Sequence, residues 1–349
     1  MARITIKDVA KLADVSLGTV SAVLNNQGRI AKETRQRVLE VVNKLNYVPQ
    51  YAARSLKAKK KGALGLATFW DFELMSSKYF REIVQGITSV TSELGYKLHL
   101  INLDQTDLEE RGLQTLASDG SLDGIFFLAP TVSQLILIKA ALREFPFVII
   151  GASVKDTKVS FVDSDNYEGG RQVVNHLVKL GHQRIAFVYP DLEIFNAAHR
   201  LEGYKAGLRE NGLPVHEELT VSLKDKQSGE ECITQLLEAN PTAIFAFHDL
   251  TVAKLISYLV GKGIRVPEDI AIIGFDDEEF CRFFDPPITT VRQPLRQMGK
   301  IAAQALIERR LDGSGEAFQQ VLSVRLIVRE SCGAKLAWRK TIDSELVQS

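Results

Sequence analysis

The sequence predicts an α/β protein in two parts: a small all-α N-terminal domain that contains a helix-turn-helix, and a larger parallel α/β domain with two lobes. Apolar residues recur with helical spacing through the first 48 residues, whereas from Ala63 onward short apolar strands alternate with amphipathic helices in two successive sets. The distribution of charged residues changes at the same place. Residues 1–61 hold 13 Lys and Arg against 4 Asp and Glu, and because the chain has 43 of each class, the remainder holds 30 against 39. A basic segment on an acidic body is typical of a nucleic-acid module attached to a domain with another role, with a merely solvated basic face as the alternative.

Two short helices near the N-terminus each carry an apolar face. The first has apolar residues at i, i+3, i+4 and i+7, and the second repeats part of this pattern: Ile6, Val9, Ala10 and Ala13, then Val20, Val23 and Leu24. Between them, Asp14 tolerates the left-handed conformation of a tight turn, Val15 is expected to be buried, and Ser16 is a good N-cap. This arrangement is a helix-turn-helix pattern.

A third helix is expected from about Lys32 to Leu45, with a buried stripe formed by Val38, Leu39, Val42 and Leu45. It ends before Pro49, because the residue that precedes a proline disfavours helical conformation. The first domain is therefore expected to span residues 1–48. The basic segment PQYAARSLKAKKK, residues 49–61, follows it.

The larger domain is expected to contain eight strands in two sets. They are ALGLATF, YKLHLINL, GIFFLAP and FVIIGA, then RIAFVYP, LTVSL, AIFAF and IAIIGFDD, with helices near residues 79–94, 108–119 and 133–144 in the first set. Strand-helix alternation predicts parallel sheets with right-handed crossovers. Neither GxGxxG after the first strand nor GxxxxGK[ST] occurs, which argues against a dinucleotide or nucleoside triphosphate site.

The segments TIKDVAKLADVSLGTVSAVLNN, TRQRVLEVVNKLNYVP and AARSLK resemble the head of the lactose-repressor (LacI/GalR) family of bacterial transcription regulators. GHQRIAFV, RLEGYKAGL, GIRVPEDIAIIGFDD and PPITTVRQP are similar to the effector domain of that family, whose fold resembles periplasmic sugar-binding proteins. The resemblance covers about residues 3–332. It implies a repressor that binds double-stranded, palindromic operator DNA as a homodimer. A small-molecule effector, a sugar or sugar derivative, would control this affinity from the cleft between the lobes.

The resemblance also implies domain boundaries. A helix-turn-helix domain at 1–48 and a hinge helix with its linker at 49–61 precede an N-terminal lobe at 62–162 plus 291–322. A C-terminal lobe at 163–290 plus 323–332 and a tail at 333–349 complete the chain, which crosses between lobes near 161–166, 285–291 and 320–324. The tail carries no leucine heptads that would join dimers into a tetramer. Whether the effector releases the operator or acts as a corepressor is left open.

By resemblance, the second helix lies in the DNA major groove, and Leu17, Gly18 and Ala22 face base edges. None of the three side chains can form the bidentate hydrogen bonds that read bases, so apolar contact with thymine methyl groups is expected. In the hinge helix, Leu56 would insert into the minor groove and favour a central pyrimidine-purine step, with a flexible basic linker as the alternative. The other residues assigned to DNA, mostly to its phosphates, are Thr5, Ser16, Thr19, Ser21, Asn25, Arg35, Tyr47, Ala53 and Arg54. Thr19 and Ser21 alternatively face solvent.

Ligands of α/β sheets bind beyond the carboxyl ends of the strands, and the resemblance puts an effector there. The residues assigned to it are Trp70, Phe72, Tyr79, Phe80, Arg200, Lys224, His248, Asp249 and Asp276. Arg200 matches an effector-contacting arginine of the family, and Asp276 matches the aspartate of a G-[FY]-D motif. The alternatives are helix capping for Asp249 and Asp276, and core packing for Tyr79 and Phe80. Lys224 stands where many members have an aromatic ring, so an effector with an acidic group, such as a sugar phosphate or sugar acid, is one hypothesis.

Enzymatic activity is not expected, because the six histidines are scattered and neither HExxH nor GxSxG occurs. Three widely separated cysteines, Cys232, Cys281 and Cys332, predict no disulfide framework, and no metal or cofactor is expected. No apolar run reaches membrane-spanning length and no signal peptide is recognised. The sequence therefore predicts a cytoplasmic bacterial protein without a membrane partner, associated with the nucleoid when bound to its operator. The alternative of a free-standing solute-binding protein is disfavoured, because such a protein would need export and the basic N-terminal segment would have no function in it.

Overall fold

The computed structural model describes residues 5–24, 30–45, 62–69, 75, 77–103, 110–142, 144–224, 229–311 and 316–335. The chain divides into two compact units, Met1–Lys61 and Gly62–Ser349. The predicted hinge helix and the tail beyond residue 335 lie outside the described residues.

Three helices form the first unit: α1 (Ile6–Leu12), α2 (Leu17–Leu24) and α3 (Lys32–Lys44). Their shared core contains Val9, Ala10, Ala13, Val20, Val23 and Val38. The prediction for α3 is wrong at Leu39, which is 42% exposed, while Val41 packs against the core. Helix geometry explains the difference, because positions 38, 41, 42 and 45 share one face and position 39 lies about 100° away. Val15 is half-buried rather than buried.

Two six-stranded sheets form the second unit, and each anchors one lobe. The first has the order β11-β5-β4-β3-β1-β2 with every neighbouring pair parallel: β1 (Ala63–Thr68), β2 (Lys97–Asn102), β3 (Gly124–Leu128), β4 (Phe147–Ile150), β5 (Phe161–Ser164) and β11 (Gln319–Leu322). The second has the order β12-β10-β9-β8-β6-β7: β6 (Ile185–Tyr189), β7 (Thr220–Ser222), β8 (Ala243–Ala246), β9 (Ala271–Asp276), β10 (Thr289–Arg292) and β12 (Arg325–Ile327). Only β12 runs antiparallel to its neighbour among these described strands.

Helices cover both faces of each sheet, which is why the central strands are buried throughout. Those of the first lobe are α4 (Lys78–Glu93), α5 (Glu110–Ser118), α6 (Val132–Ala141) and α11 (Leu295–Gln304), the last continued by a π-helical segment, Ala305–Leu311. Those of the second lobe are α7 (Asn166–Lys179), α8 (Phe195–Glu210), α9 (Gly229–Glu238) and α10 (Asp249–Gly261). Successive strand residues alternate between two cores: Leu64 and Leu66 pack with α4 and α11, whereas Ala63 and Ala67 join the opposite core.

The chain passes between the lobes at places that differ in part from those expected. β5 belongs to the first sheet as far as Ser164, and α7 of the second lobe begins two residues later. The second passage follows Arg292 rather than preceding Val291, because β10 pairs with β9 in the second sheet through Arg292. Residues 163–164 and 291–292 therefore lie in the opposite lobe from the one expected.

Close helix contact fixes the position of α8. A Cβ atom added at Gly203 would lie 1.9 Å from the carbonyl oxygen of Tyr167, and one added at Gly170 on the facing helix would lie 2.5 Å from the carbonyl oxygen of Arg200. Only glycine at these two positions permits such an approach of backbones. The contact seats α8 against α7 and directs the side chain of Arg200 toward the start of α7.

Candidate functional site

The first unit presents a capped helix-turn-helix. Asp14 has a φ of 49°, the left-handed conformation predicted for the turn. The Ser16 hydroxyl accepts a hydrogen bond from the Thr19 backbone N–H at 3.0 Å, which confirms Ser16 as the N-cap of α2. Thr5 is the N-cap residue of α1, and the Asp8 carboxylate accepts from its backbone N–H and from its hydroxyl, each at 2.7 Å.

The exposed start of α2 is apolar. Leu17 is 44% exposed and Gly18 is also exposed, while Ala22 is half-buried and Val20 and Val23 fill the core. Ser21 and Arg35 are half-buried. The remaining residues assigned to DNA lie outside the described residues: Asn25, Tyr47, Ala53, Arg54 and Leu56.

In the second unit, polar side chains gather where strands of both sheets end. Six of them form a chain of contacts that closes on itself, which we call the cleft ring: Asp163, Ser164, Asn166, Arg200, Asp276 and Gln293. Asp163 and Ser164 end β5 in the first lobe, whereas Asp276 ends β9 in the second. The ring therefore spans the two lobes, and Gln293 lies on the passage between them.

Arg200 is the cation of the cleft ring and is only 2% exposed. Its Nε donates to Asn166 Oδ1 at 2.9 Å, its Nη1 donates to the Phe247 carbonyl, and its Nη2 lies 3.8 Å from Asp276 Oδ1. The guanidinium also stacks 3.5 Å from the centre of the Phe275 ring. Burial lowers the pKa of Arg200, and Asp276 opposes that effect most strongly. Arg200 is thus held in place by neutral groups and a carboxylate.

Two carboxylates face this arginine. Asp163 accepts from the Ser164 N–H at 2.8 Å and from Asn166 Nδ2 at 3.3 Å, and burial raises its pKa to about 7. Asp276 accepts from Gln293 Nε2 at 2.5 Å, and burial raises its pKa to about 6, with Arg200 acting in the opposite direction. Asp276 retains 15% side-chain exposure, so it is the more accessible of the two acids.

Asp249 differs from its assignment as an effector contact. It is completely buried, and its two oxygens accept hydrogen bonds from Thr290 Oγ1 at 2.6 Å and from the Glu278 N–H at 2.8 Å. Desolvation raises its pKa to about 8. Asp249 is therefore a structural residue that ties α10 to the loop after β9. Its neighbour His248 caps α10, because His248 Nδ1 accepts from the Thr251 N–H at 3.0 Å.

The two aromatic residues at the start of α4 have different surroundings. Phe80 is 7% exposed within the first lobe's core, which favours core packing, and its assignment to the effector stays a prediction. Tyr79 lies in the same core, but its hydroxyl points toward the side of the cleft where Asn196, Asp163 and Asp276 lie. Burial and the nearby carboxylates Asp163 and Asp276 raise the pKa of Tyr79.

Lys224 lies at the mouth of the cleft, 48% exposed, with its Nζ 2.8 Å from Asp191 Oδ2. This carboxylate already neutralises the cation on which the acidic-effector hypothesis depends. Trp70 and Phe72, the other predicted contacts, lie outside the described residues.

The sequence-based assignment missed five buried cleft residues: Asp163, Ser164, Asn166, Asn196 and Gln293. The rule used for Asp276 also applies to Asp163 and Gln293, because they end or follow β5 and β10. Asn166 and Asn196 carry no comparable signal, since each lies in the first turn of an ordinary amphipathic helix.

Direct contacts hold the two lobes together beside the cleft ring. The Lys78 backbone N–H at the start of α4 donates to Glu278 Oε1 at 2.8 Å, and Lys78 Nζ lies 3.7 Å from Asp277 Oδ2. Elsewhere along the cleft, the Val132 N–H donates to the Glu193 carbonyl at 2.9 Å. These contacts join the two lobes at separate places along the cleft.

The described parts of the chain contain no group of three or more His, Cys, Asp or Glu side chains that could hold a metal ion. None of the helices over the same residues is long and apolar enough to cross a membrane.

Two protein families match successive parts of the chain. Residues 5–50 match the bacterial regulatory proteins of the lacI family, and residues 174–332 match a periplasmic binding protein-like domain. The HTH-type transcriptional regulator DegA of Bacillus subtilis is 33% identical, over 94% of this chain and 97% of its own.

Solved structures with both parts are similar as well. The Lac repressor dimer bound to operator and the anti-inducer ONPF superposes with a TM-score of 0.83 and 26% identity, over 95% of this chain and 99% of the other. A complex of the transcriptional regulator CelR with cellobiose has a TM-score of 0.72 and 30% identity, over 94% of this chain and 100% of the other.

Proposed function

The chain belongs to the lacI family of bacterial regulatory proteins and is a DNA-binding transcriptional regulator rather than an enzyme, and from this premise we propose how it works. It binds a palindromic operator as a homodimer and represses transcription. A small, hydroxyl-rich effector in the cleft between the lobes controls its affinity for that operator. It acts in the bacterial cytoplasm, on the nucleoid when bound to its operator.

The observation that carries the effector proposal is the cleft ring. Its two carboxylates lie in opposite lobes and both accept hydrogen bonds, while Arg200 and the amide of Asn166 supply donors between them. Vicinal hydroxyl groups donate and accept in the same way, and charge-assisted hydrogen bonds of this kind are worth about 1.5–3 kcal/mol each. The cellobiose bound to CelR supports a sugar as the class of effector.

A neutral effector fits the deep part of the cleft better than an acidic one. Two buried acids stand against one guanidinium, and that guanidinium already contacts Asn166, Phe247 and Asp276. An anionic group would meet Asp163 and Asp276 in a site of low dielectric, where like charges repel strongly. The sugar phosphate or sugar acid suggested by Lys224 would have to place its charge at the mouth and displace Asp191.

Control of DNA affinity follows from linkage. An effector changes operator affinity only to the extent that it binds one lobe arrangement more tightly than the other. In the proposed dimer, lobe closure alters the spacing of the two DNA-binding heads and orders or releases their hinge helices. Leu17 and Ala22 then contact thymine methyl groups, and Leu56 wedges open the central step of the operator.

Selection from a random-sequence duplex DNA pool tests the DNA part of the proposal. The full-length protein should enrich a palindrome with a central pyrimidine-purine step, and its affinity should fall with salt as phosphate contacts are screened. Enrichment of single half-sites, or of no sequence with or without added sugars, would contradict a dimeric operator-binding repressor.

Isothermal titration tests the effector part. Cellobiose represents neutral sugars and glucose 6-phosphate represents anionic ones, each titrated into the wild type and Asp276→Ala. We expect heat from the neutral class that disappears in the variant. Binding of the phosphate alone would favour the acidic alternative.

A further inference from the structure

We propose that two glutamates of the second lobe, Glu278 and Glu193, form an interlobe latch that holds the lobes in the arrangement that closes the cleft ring. Each carboxylate accepts a hydrogen bond from the first turn of a helix in the first lobe, Glu278 from α4 and Glu193 from α6. A further step, that the latch sets the affinity for an effector, rests on the proposed function. Neither glutamate was assigned a role from the sequence, and neither belongs to the cleft ring.

The first turns of α4 and α6 have N–H groups that a carboxylate can complete. A helix leaves its first four backbone N–H groups without partners inside the helix. The N-cap Ser77 accepts from the third residue of α4, Phe80, at 3.2 Å. Thr131 accepts from the third residue of α6, Gln134, at 3.3 Å. Within these two described helices, neither first turn contains an acidic side chain, so an acid at the positive end of the helix dipole has to come from elsewhere.

Glu278 supplies this acid to α4. Its Oε1 accepts from the N–H of Lys78, the first residue of the helix, at 2.8 Å. The side chain of Lys78 binds the same loop, because its Nζ donates to the Asp277 carbonyl and lies 3.7 Å from Asp277 Oδ2. The loop is in turn fixed within the second lobe, since the Glu278 N–H donates to the buried Asp249 at 2.8 Å. The position of the second lobe therefore determines where this cap of α4 lies.

Glu193 repeats the arrangement on α6, at another place along the cleft. Its Oε2 accepts from the Ser133 N–H at 3.3 Å, and its backbone carbonyl accepts from the Val132 N–H at 2.9 Å. Beside them, an antiparallel bridge pairs Thr131 with Ile194. Because each lobe is a close-packed unit, a hinge motion that separates one contact also strains the other. The two contacts should therefore open together.

The latch affects the effector through the cleft ring. The ring takes Asp163 from the first lobe and Arg200 and Asp276 from the second, so an effector that contacts both sides needs the lobes together. A latch that keeps this arrangement populated without effector raises the apparent affinity, because only the competent fraction of the protein binds. Loss of the latch should weaken effector binding although neither glutamate is part of the ring.

Hydrogen exchange at single backbone amides tests the latch in the full-length protein without effector. The N–H of Lys78 is bonded to Glu278, and those of Val132 and Ser133 are bonded to Glu193, so their exchange rates report separation of the lobes. Glu278→Ala should speed exchange at Val132 and Ser133, which belong to the other contact, by about threefold or more. Glu193→Ala should do the same at Lys78.

Controls separate opening of the lobes from local damage. The N–H groups of Phe80 and Gln134 are capped within their own helices and should keep their exchange rates. Glu82→Ala removes a carboxylate from α4 that pairs with Arg296 of the same lobe at 3.1 Å, and it should leave exchange at both contacts unchanged. Glu278→Gln keeps an oxygen that accepts from α4 and should retain most of the protection. Unchanged exchange at the opposite contact in both alanine variants, or equal acceleration in Glu82→Ala, would overturn the latch.

Titration with cellobiose then connects the latch to the effector. Glu193→Ala is the variant of choice, because Glu278 is only two residues from Asp276 of the cleft ring. It should weaken cellobiose binding by about threefold to tenfold, and Glu82→Ala should leave binding unchanged. If the wild type binds no sugar, the proposed effector class fails and the control of its affinity fails with it, while the exchange rates still decide the latch. If the wild type and Glu193→Ala bind cellobiose equally well although exchange shows opening, only the control of effector affinity is overturned.

Discussion

Replacement of Asp163 by Asn should stabilise the protein increasingly as the pH rises. Asp163 is completely buried, and its pKa moves from 3.8 to about 7 on folding. The folded state therefore holds a proton that the unfolded chain releases, and stability falls as the pH rises from the unfolded to the folded value. At roughly 1.4 kcal/mol per pH unit, the full loss is about 4 kcal/mol, complete above pH 7.

Asparagine does not titrate, so the free energy of unfolding of the variant does not fall in this way as the pH rises. It also disturbs hydrogen bonds from Ser164 and Asn166, but that cost does not depend on pH. The difference in unfolding free energy, variant minus wild type, should therefore increase by about 2–3 kcal/mol between pH 5 and pH 8, whatever its starting sign.

Urea unfolding followed by circular dichroism, at pH 5, 6, 7 and 8, measures this difference. Asp156→Asn is the control: Asp156 pairs with Lys139 near the surface and its pKa is lowered from 3.8 by that partner, so it is ionised in both folded and unfolded states above pH 5 and its difference should stay flat from pH 5 to pH 8. A flat difference for Asp163→Asn across this range would refute the account of Asp163 as a carboxylate held at the cost of stability.

Three further outcomes are expected. Gly203→Ala should lower the free energy of unfolding by about 1–3 kcal/mol in urea melts, because its Cβ would lie 1.9 Å from a backbone carbonyl, whereas Gly261→Ala has open space and should be nearly neutral. Leu17→Gln should change the bases recovered from the DNA pool without changing the melting temperature, since Leu17 is 44% exposed; an unchanged base preference would count against apolar reading by α2. Leu56→Ala should weaken operator binding and spare cellobiose binding, and Asp276→Ala should do the reverse; equal damage to both functions from either change would contradict separable sites.

Local patterns predicted most of the fold. The alternation of apolar strands and amphipathic helices was sufficient for two parallel α/β lobes, and the turn at Asp14 and cap at Ser16 have the predicted conformations. The errors arise where helix geometry or strand pairing, rather than the local apolar pattern, decides whether a residue is buried and which lobe it joins. Leu39 is apolar and adjacent to Val38, yet the helix turns it to solvent, and Arg292 stays in the second sheet because β9 pairs with it.

The candidate site was predicted less completely, because the role of each residue depends on its contacts with residues that are distant in sequence. Arg200 and Asp276 were identified, and the structure brings them within 3.8 Å. Asp249 lies just beyond the end of β8 and Asp163 lies near the end of β5, so sequence position cannot separate a structural acid from one in the cleft. The distinction comes from Thr290 and Glu278, which occupy both oxygens of Asp249.

Under the proposed function, the residue that contacts the ligand and a residue that contacts the other lobe are neighbours in one short loop. Asp276 and Asp277 are consecutive residues with positive φ, 107° and 57°. Asp276 belongs to the cleft ring, whereas Asp277 is buried between Arg292 at 2.7 Å, which ends β10, and Arg329 at 2.5 Å, which follows β12. Such backbone conformations are costly for aspartate and persist only because the surroundings hold both side chains. A sugar that reorients Asp276 therefore acts directly on the adjoining residue Asp277, whose side chain lies 3.7 Å from Lys78 Nζ of the first lobe, and this contact links the ligand to the arrangement of the lobes.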